Sequence, residues 1–343
     1  MSTKHTIEEL IEAVEARAIQ CPIPIRFRSS QNLGGAGERN SRSRGFNGFD
    51  LVTQREYQHG DDVKKIDWAA VARTGGQKIF VSQFYEPREV KFYILVDSKL
   101  TMDFGSVRTT KRMLAAELAA SILKSARKTN DKVGYITYSE DRIEAMSKRA
   151  KFVGAMKSEA LRNIIEPGIK PITNEMPTRA SGGDRAELVD VEGLTDQPGE
   201  KLTGLQQALR FVRRQSKSLV FVISDFIDLN EAELADLATA SARHDVVCMH
   251  VQDRRERELP DTWGVFVLED IRKGARKAIW LWPKWWPFQR RGANVREQFT
   301  ANFNNRRNAL FEYFKDNNIQ WEEFSTEEGS AATAKLTKLF ADH

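Results

Sequence analysis

The chain has 343 residues, 41% of them hydrophobic and 29% charged, with a formal net charge of +5. This is the balance of a soluble globular protein with room for one large core, or one core and a small satellite. It excludes a membrane-spanning helix, because no apolar run approaches the ~18 residues required. It also excludes a disulfide or cysteine–metal framework, because only Cys21 and Cys248 are present.

Residues 1–45 read as an N-terminal helix and a flexible linker. The opening MSTKHTIEELIEAVEARA is an acidic amphipathic helix, with Thr6 and Glu9 at capping-box spacing. It lacks the basic-then-apolar order of a secretory signal, so a cytoplasmic location is expected. Residues 29–48 are rich in Ser, Arg, Gly and Asn and read as a solvated connection; an anion-binding arm is the alternative. A net charge this mild does not argue for nucleic acid, and none is expected as a partner.

Residues 46–88 predict a small β module. Gly60-Asp61-Asp62 is a turn signal, and residues 78–85 (KIFVSQFY) alternate as a half-buried strand. Arg55, Tyr57, Asp61, Asp62, Asp67, Trp68 and Arg73 mix charges with aromatics. No obvious nucleophile accompanies them, so they read as an internal ion-pair network holding the module together.

Residues 89–343 predict a doubly wound α/β domain with a mostly parallel sheet. Lys91 to Val96 is a short apolar run of aromatic and β-branched residues, as expected of a strand buried on both faces. It ends at Asp97, and the polar turn Ser98-Lys99-Leu100-Thr101 follows. A helical period runs from Arg108 to Lys128, with Met113, Leu114, Leu118, Ile122 and Leu123 on one side. Residues 131–138 predict a second strand and 158–165 a short helix. Residues 166–202 hold almost no apolar periodicity and read as a long loop. Thr203-Gly204 opens the next helix, with Thr203 at its N-cap. Residues 218–223 form another doubly buried run, which ends in Ser224-Asp225. A helix capped by Asn230, a strand over 245–251, a long helix over 294–317, a strand over 319–324 and a final helix complete the alternation.

Within this domain residues 262–292 read as a Trp-rich hairpin insertion. Residues 278–291 (AIWLWPKWWPFQRR) hold four of the seven tryptophans. Trp280, Trp282, Trp285 and Trp286 stand there beside Arg290 and Arg291. The expected role is packing on the β module around Trp68. A partner surface or a peripheral contact with the inner face of the membrane is the alternative.

In a doubly wound sheet of order 3-2-1-4-5-6 the first and fourth strands are neighbours at the switch point. Asp97 and Asp225 should therefore face one another across a crevice, with Thr101 and Thr203 at its rim. Carboxylate and hydroxyl oxygens suit Mg²⁺.

This pattern resembles a von Willebrand factor A domain, whose metal-ion-dependent adhesion site reads Asp-x-Ser-x-Ser, then a separate Thr and a separate Asp. More narrowly, the chain is similar to the family called domain of unknown function 58. The residues that carry the likeness are Arg55-Glu56-Tyr57-Gln58, Gly60-Asp61-Asp62, Ile66-Asp67-Trp68, Ala72-Arg73-Thr74-Gly75, Asp97 with Met102 and Phe104-Gly105-Ser106, Thr203-Gly204-Leu205, Ser224-Asp225-Phe226 and Glu258-Leu259-Pro260. The resemblance implies a partner of a MoxR-type AAA+ ATPase, acting in chaperone-like maturation or remodelling of a client protein; with no phosphate-binding loop and no hydrolase motif in the sequence, a non-enzymatic interaction domain is expected. It also implies metal-ligand roles for Asp97, Thr101, Thr203 and Asp225.

Lys99 departs from the pattern, standing where the first serine belongs. A protonated lysine has no lone pair and cannot ligate a metal. A metal-free site with Lys99 as a built-in cation, or a weak Mg²⁺ site with Lys99 swung outward, are the two expectations. The competing reading is a Mg²⁺-dependent phosphohydrolase with Asp97 as nucleophile, which Lys99 in place of a second acid disfavours.

Overall fold

The computed structural model describes residues 7–18, 42–45, 50–59, 61, 63–87, 91–106, 108–129, 131–147, 150–166, 201–227, 229–269, 276–281 and 290–341. The chain divides into two compact units, 1–21 with 91–337, and 22–90 with 338–343. Most of the loop expected at 166–202 lies outside the described residues, as do Thr6, Asp62, Trp282, Trp285 and Trp286.

The larger unit begins with helix α1 (Ile7–Arg17), which sequence grouped with the linker. It packs on two later helices of this unit, α3 (Lys111–Thr129) and α4 (Val153–Ile165). Val14 is buried, Arg17 pairs with Glu117 at 3.0 Å, and Glu15 pairs with Lys157 at 2.8 Å.

The smaller unit contains strands β1 (Arg42–Gly45) and β2 (Asp50–Glu56), the six-residue helix α2 (Trp68–Arg73) and strand β3 (Phe80–Pro87). The strands form one antiparallel sheet in the order β1-β3-β2. Its charged residues work locally. Asp67 caps α2 by accepting from Ala70 N at 3.0 Å, Asp61 accepts from Gln58 N at 2.8 Å, and Arg73 Nε donates to the Ala69 carbonyl. Tyr57 is half-buried, and Arg55 lies on β2 with its side chain outside the description. Trp68 departs from the expected interior network, because it is 65% exposed. A helix this short turns only Ala70 fully inward.

The main sheet follows from runs that are apolar at every position. Strand β4 (Lys91–Asp97) is buried from Phe92 onward, and β8 (Leu219–Ser224) is buried throughout. Both faces of such a strand must be covered. Tyr93 and Leu95 join a core with residues of α5 (Gly204–Arg213), α6 (Glu231–Arg243) and α8 (Arg290–Asp316). The alternating Phe92, Ile94 and Val96 are equally buried.

The remaining strands are β5 (Lys132–Tyr138), β6 (Ile143–Met146), β7 (Lys151–Phe152), β9 (Asp245–Gln252) and β12 (Gln320–Ser325). The sheet order is β12-β9-β8-β4-β5-β6, with β7 also on β5. Within this unit β4 and β8 are neighbours, as the order 3-2-1-4-5-6 requires of its first and fourth strands when β6 is counted as the third and β7 is set aside. The β12, β9, β8, β4 and β5 pairings are parallel, and β6 and β7 run antiparallel. Those two short edge strands were absent from the sequence expectation. A four-residue segment, half-buried and carrying Glu144, has too little periodicity to be read as a strand.

Short helix α7 (Arg254–Arg257) follows β9. Strands β10 (Gly264–Glu269) and β11 (Arg276–Leu281) pair antiparallel as a two-stranded sheet of their own. Helix α9 (Ser330–Ala341) ends the chain. Among the described residues no helix is long and apolar enough to cross a membrane.

Candidate functional site

The site stands where the two central parallel strands end. Register pairs Val96 of β4 with Ile223 of β8, so Asp97 and Ser224 emerge side by side and Asp225 is the next residue. Both aspartates are buried, at 1% and 3% exposure. Ser224 Oγ donates to Asp97 Oδ2 at 2.7 Å and ties the two strand ends together. Phe226, directly after Asp225, holds a left-handed backbone with φ of 49°. Strain of this kind in a bulky residue persists only where surroundings enforce it. Here its ring is packed against Phe314 and His250, with centroids 5.6 and 6.1 Å away.

Lys99 lies in the crevice. Its backbone N–H donates to Asp97 Oδ1 at 2.9 Å, and its ammonium stands 3.6 Å from Asp97 Oδ2, with the side chain 10% exposed. Thr101 sits in the 3-10 turn Leu100–Asp103 and is buried. Its hydroxyl makes no hydrogen bond of ordinary geometry, yet it faces the Asp225 carboxylate closely enough to lower its pKa. The turn is held by Arg112, which donates to the carbonyls of Ser98 and Lys99 and pairs with Asp103.

A second ammonium, missed in the sequence, completes the crevice. Lys111 opens α3, is fully buried, and bridges Asp225 Oδ2 at 2.8 Å and Glu256 Oε1 at 2.6 Å. One local signal pointed to it. Lys111 and Arg112 begin a helix with no acid in its first turn. The helix dipole disfavours cations there, so a pair of them requires anions from elsewhere. Glu256, also missed, comes from α7.

The two carboxylates are split in pKa. Burial raises Asp97; Lys99 offsets part of this, and the charge of Asp225 adds to it. Burial also acts to raise Asp225, but Lys111, helped by the Thr101 hydroxyl and the Ile227 N–H, makes the net shift downward. Burial would discharge Lys111, yet Asp225 and Glu256 hold its pKa above the usual value. Asp225 is therefore the firm anion and Asp97 the one nearer to accepting a proton. Tyr138, fully buried beside them, has its phenol pushed well up, first by burial and then by Asp97.

Thr203 takes the N-cap position expected of it, while the resemblance implied a metal-ligand role. It caps α5 in a full capping box with Gln206, and its hydroxyl donates to Glu233 Oε1 at 2.8 Å. Gly204 is required next to it, because a Cβ there would stand 2.3 Å from the carbonyl oxygen of Ser139. That close approach brings the start of α5 against the turn 139–142. The turn forms one wall of a cleft of about 500 Å³ lined by Ser98, Lys99, Leu100, Thr101, Arg112 and Glu140, among others.

This donor set is a poor one for a divalent cation. A Thr101 hydroxyl without a well-formed hydrogen bond beside the Asp225 carboxylate is what a ligand sphere would leave. However, Asp97 already accepts from Ser224 and the Lys99 N–H, Asp225 holds Lys111, and Thr203 is committed to Glu233. Two ammonium groups bring the charge that a divalent ion would bring, and neither offers a lone pair. Among the described residues there is no group of three or more His, Cys, Asp or Glu side chains that could hold a metal. Asp97 is also poorly placed as a nucleophile, since its side chain is fully buried and both of its oxygens are bonded.

A family model described as "Protein of unknown function DUF58" matches residues 53–308. The uncharacterized protein Rv1480 of Mycobacterium tuberculosis (strain H37Rv) is 30% identical over 223 residues, 64% of this chain and 60% of the relative. The uncharacterized protein Mb1516 of Mycobacterium bovis gives the same figures. The chain thus spans about 60% of the length of these curated relatives. Among solved structures, the conserved hypothetical protein BatB from Bacteroides thetaiotaomicron superposes with a TM-score of 0.38 at 13% identity, over 74% of this chain and 100% of that one. A von Willebrand factor type A structure from Catenulispora acidiphila gives 0.26 at 14%, over 51% and 36%.

Proposed function

This chain belongs to the DUF58 family of proteins of unknown function, and we propose that it is a non-enzymatic protein-interaction module that works without a metal ion. In this reading it binds a MoxR-type AAA+ ATPase and acts with it in maturing or remodelling a client protein. The docking face is the crevice mouth at the carboxyl ends of β4 and β8, where ligands of open α/β sheets bind.

The observation that carries this reading is charge compensation inside the crevice. Lys111 neutralises the Asp225 side and Lys99 the Asp97 side, so a cation is already built in. A metal adhesion site captures an acidic side chain of its partner through the ion. Here the Lys99 ammonium, on a side chain 10% exposed that lines the cleft, takes that place, with Leu100 beside it, 68% exposed, as an apolar contact. The same cleft carries Glu140 and Asp141, so the matching partner surface pairs its acid with a nearby base. The burial of Asp97 supports a binding role over hydrolysis.

The test is a binding titration of the chain with its MoxR-type ATPase, with and without EDTA, keeping nucleotide absent. We expect an affinity that EDTA leaves unchanged and that Lys99→Ala weakens about tenfold or more. No rise in melting temperature on adding Mg²⁺ is expected either. Full binding by the Lys99→Ala protein would refute the docking role, and loss of binding in EDTA would refute the metal-free one.

A further inference from the structure

The end of the main sheet opposite the crevice is a level, positively charged front. Register pairs Lys91 of β4 with Lys132 of β5, Phe92 with Leu219 of β8, and Leu219 with Asp245 of β9. Four adjacent parallel strands therefore begin flush with one another. The helices that feed three of them, α3, α5 and α6, must end at the same level.

Those helix ends are basic. Arg127 and Lys128 stand in the last turn of α3, Arg214 is the C-cap of α5, and Arg243 closes α6. All four are exposed, and none forms an ion pair among the described residues. The strand starts add Lys91, which donates to the Ser216 hydroxyl at 2.9 Å, and Lys132. Lys217, just before β8, and Lys151, which follows Lys132 across the β5–β7 ladder, are exposed at this level too. Arg213 is set aside because Asp236 pairs with it. The acids here are Asp131, which is buried, and Asp245. Eight cations against two acids exceed the net +5 of the whole chain, so the remainder of the protein is net acidic.

Shape and charge together select the partner. Helix C-termini present carbonyls, so no single phosphate is drawn into a fixed seat as it is at an N-terminus. The attraction is spread along the front and acts at a distance. Phe152 is 49% exposed here with Lys132 over its ring at 5.2 Å. One ring supplies no series of platforms for stacking nucleic acid bases. A planar array of anionic headgroups needs neither a groove nor an inserted side chain, and it attracts each nearby Lys or Arg.

We propose that this front adsorbs electrostatically to an anionic bilayer, leaving the crevice at the far end of the strands pointing away from the membrane. The proposal rests on no part of the crevice reading; either can fail alone.

The experiment is co-sedimentation of the full chain with phosphatidylcholine vesicles, with and without about one third phosphatidylglycerol, in low and high salt. Binding to the anionic vesicles should be at least about tenfold stronger than to neutral ones and should fall steeply with salt. Arg127→Glu with Lys128→Glu, and separately Arg214→Glu with Arg243→Glu, should each lose about tenfold or more. Their melting temperatures should fall by only a few degrees, since each residue is an exposed helix-end charge. Arg254→Glu with Arg255→Glu changes the net charge equally on an exposed pair at the crevice end, and should bind like the parent. Equal binding to neutral and anionic vesicles, no vesicle binding at all, or parent-like binding by both front variants would overturn the proposal. So would an equal loss in the Arg254 and Arg255 variant, or capture of duplex DNA in preference to anionic vesicles.

Discussion

The two halves of the crevice use the same residue pair in opposite ways. On one side Asp97 meets Lys99 at 3.6 Å, with the lysine side chain 10% exposed and the carboxyl shifted upward. On the other side Asp225 meets Lys111 at 2.8 Å, with the lysine fully buried and the carboxyl shifted downward. The difference lies in where each ammonium comes from. Lys99 is two residues from its acid and reaches it from a turn in which Ser98, Thr101 and Met102 are buried and Leu100 is exposed. Lys111 is supplied by a helix whose packing fixes it, and Glu256 holds it from a third element. The Lys111 half is a structural clamp, while the Lys99 half keeps a cation available at the mouth.

The sharpest way to break this comparison is to remove the buried ammonium. Lys111→Met leaves Asp225 and Glu256 without their cation and should cost about 3–5 kcal/mol in urea unfolding. Adding Asp225→Leu should restore much of that loss, because a buried pair replaced by apolar groups is nearly neutral. Recovery of nothing would mean that the pair does not act as a unit.

A smaller effect separates the aspartates themselves. Asp225→Asn should destabilise at neutral pH by about 1–3 kcal/mol, the cost of weakening a buried charge-assisted bond. Asp97→Asn should leave stability unchanged or raise it. The signs follow from linkage. The contribution of Asp225, whose folded pKa is lowered, is present above the unfolded value of 3.8 and is lost as pH falls through its folded pKa. Asp97, whose folded pKa is raised, costs stability as pH rises from 3.8 through its folded pKa. Melting curves of the two variants across acid pH should therefore diverge from the parent in opposite directions.

The smallest effect is a control outside the crevice. Burial raises the Glu323 pKa, but Arg307, with His250, brings it down to about 2. Arg307 is 32% exposed, so solvent screens the pair and Arg307→Ala should cost about 1 kcal/mol or less at pH 7. That stabilisation is present above the unfolded pKa of 4.5 and disappears as pH falls toward 2. A loss as large as that of Lys111→Met would erase the distinction between buried and half-open pairs.

Much of the fold was legible from the sequence because its central strands are apolar at every position. Runs such as 91–96 and 218–223 admit few other placements, and the capping residues Thr203 and Asn230 occur as read. The antiparallel edge was not legible, since β6 and β7 are short and half-buried or exposed. Trp68 was misread because an aromatic among charges looks internal until its six-residue helix is seen to bury only Ala70 fully. Thr203 was legible as a cap, but the direction of its hydroxyl toward Glu233, thirty residues on, was not.

The sequence by itself determined which strands are central and that each ends in an acid, because doubly buried strands and the residues that stop them are local features. Only the tertiary structure decided which cation each acid receives. Lys111 reaches across 114 residues to Asp225 and 145 to Glu256. Coulomb energy depends on separation in space and on exclusion of water, and packing sets both.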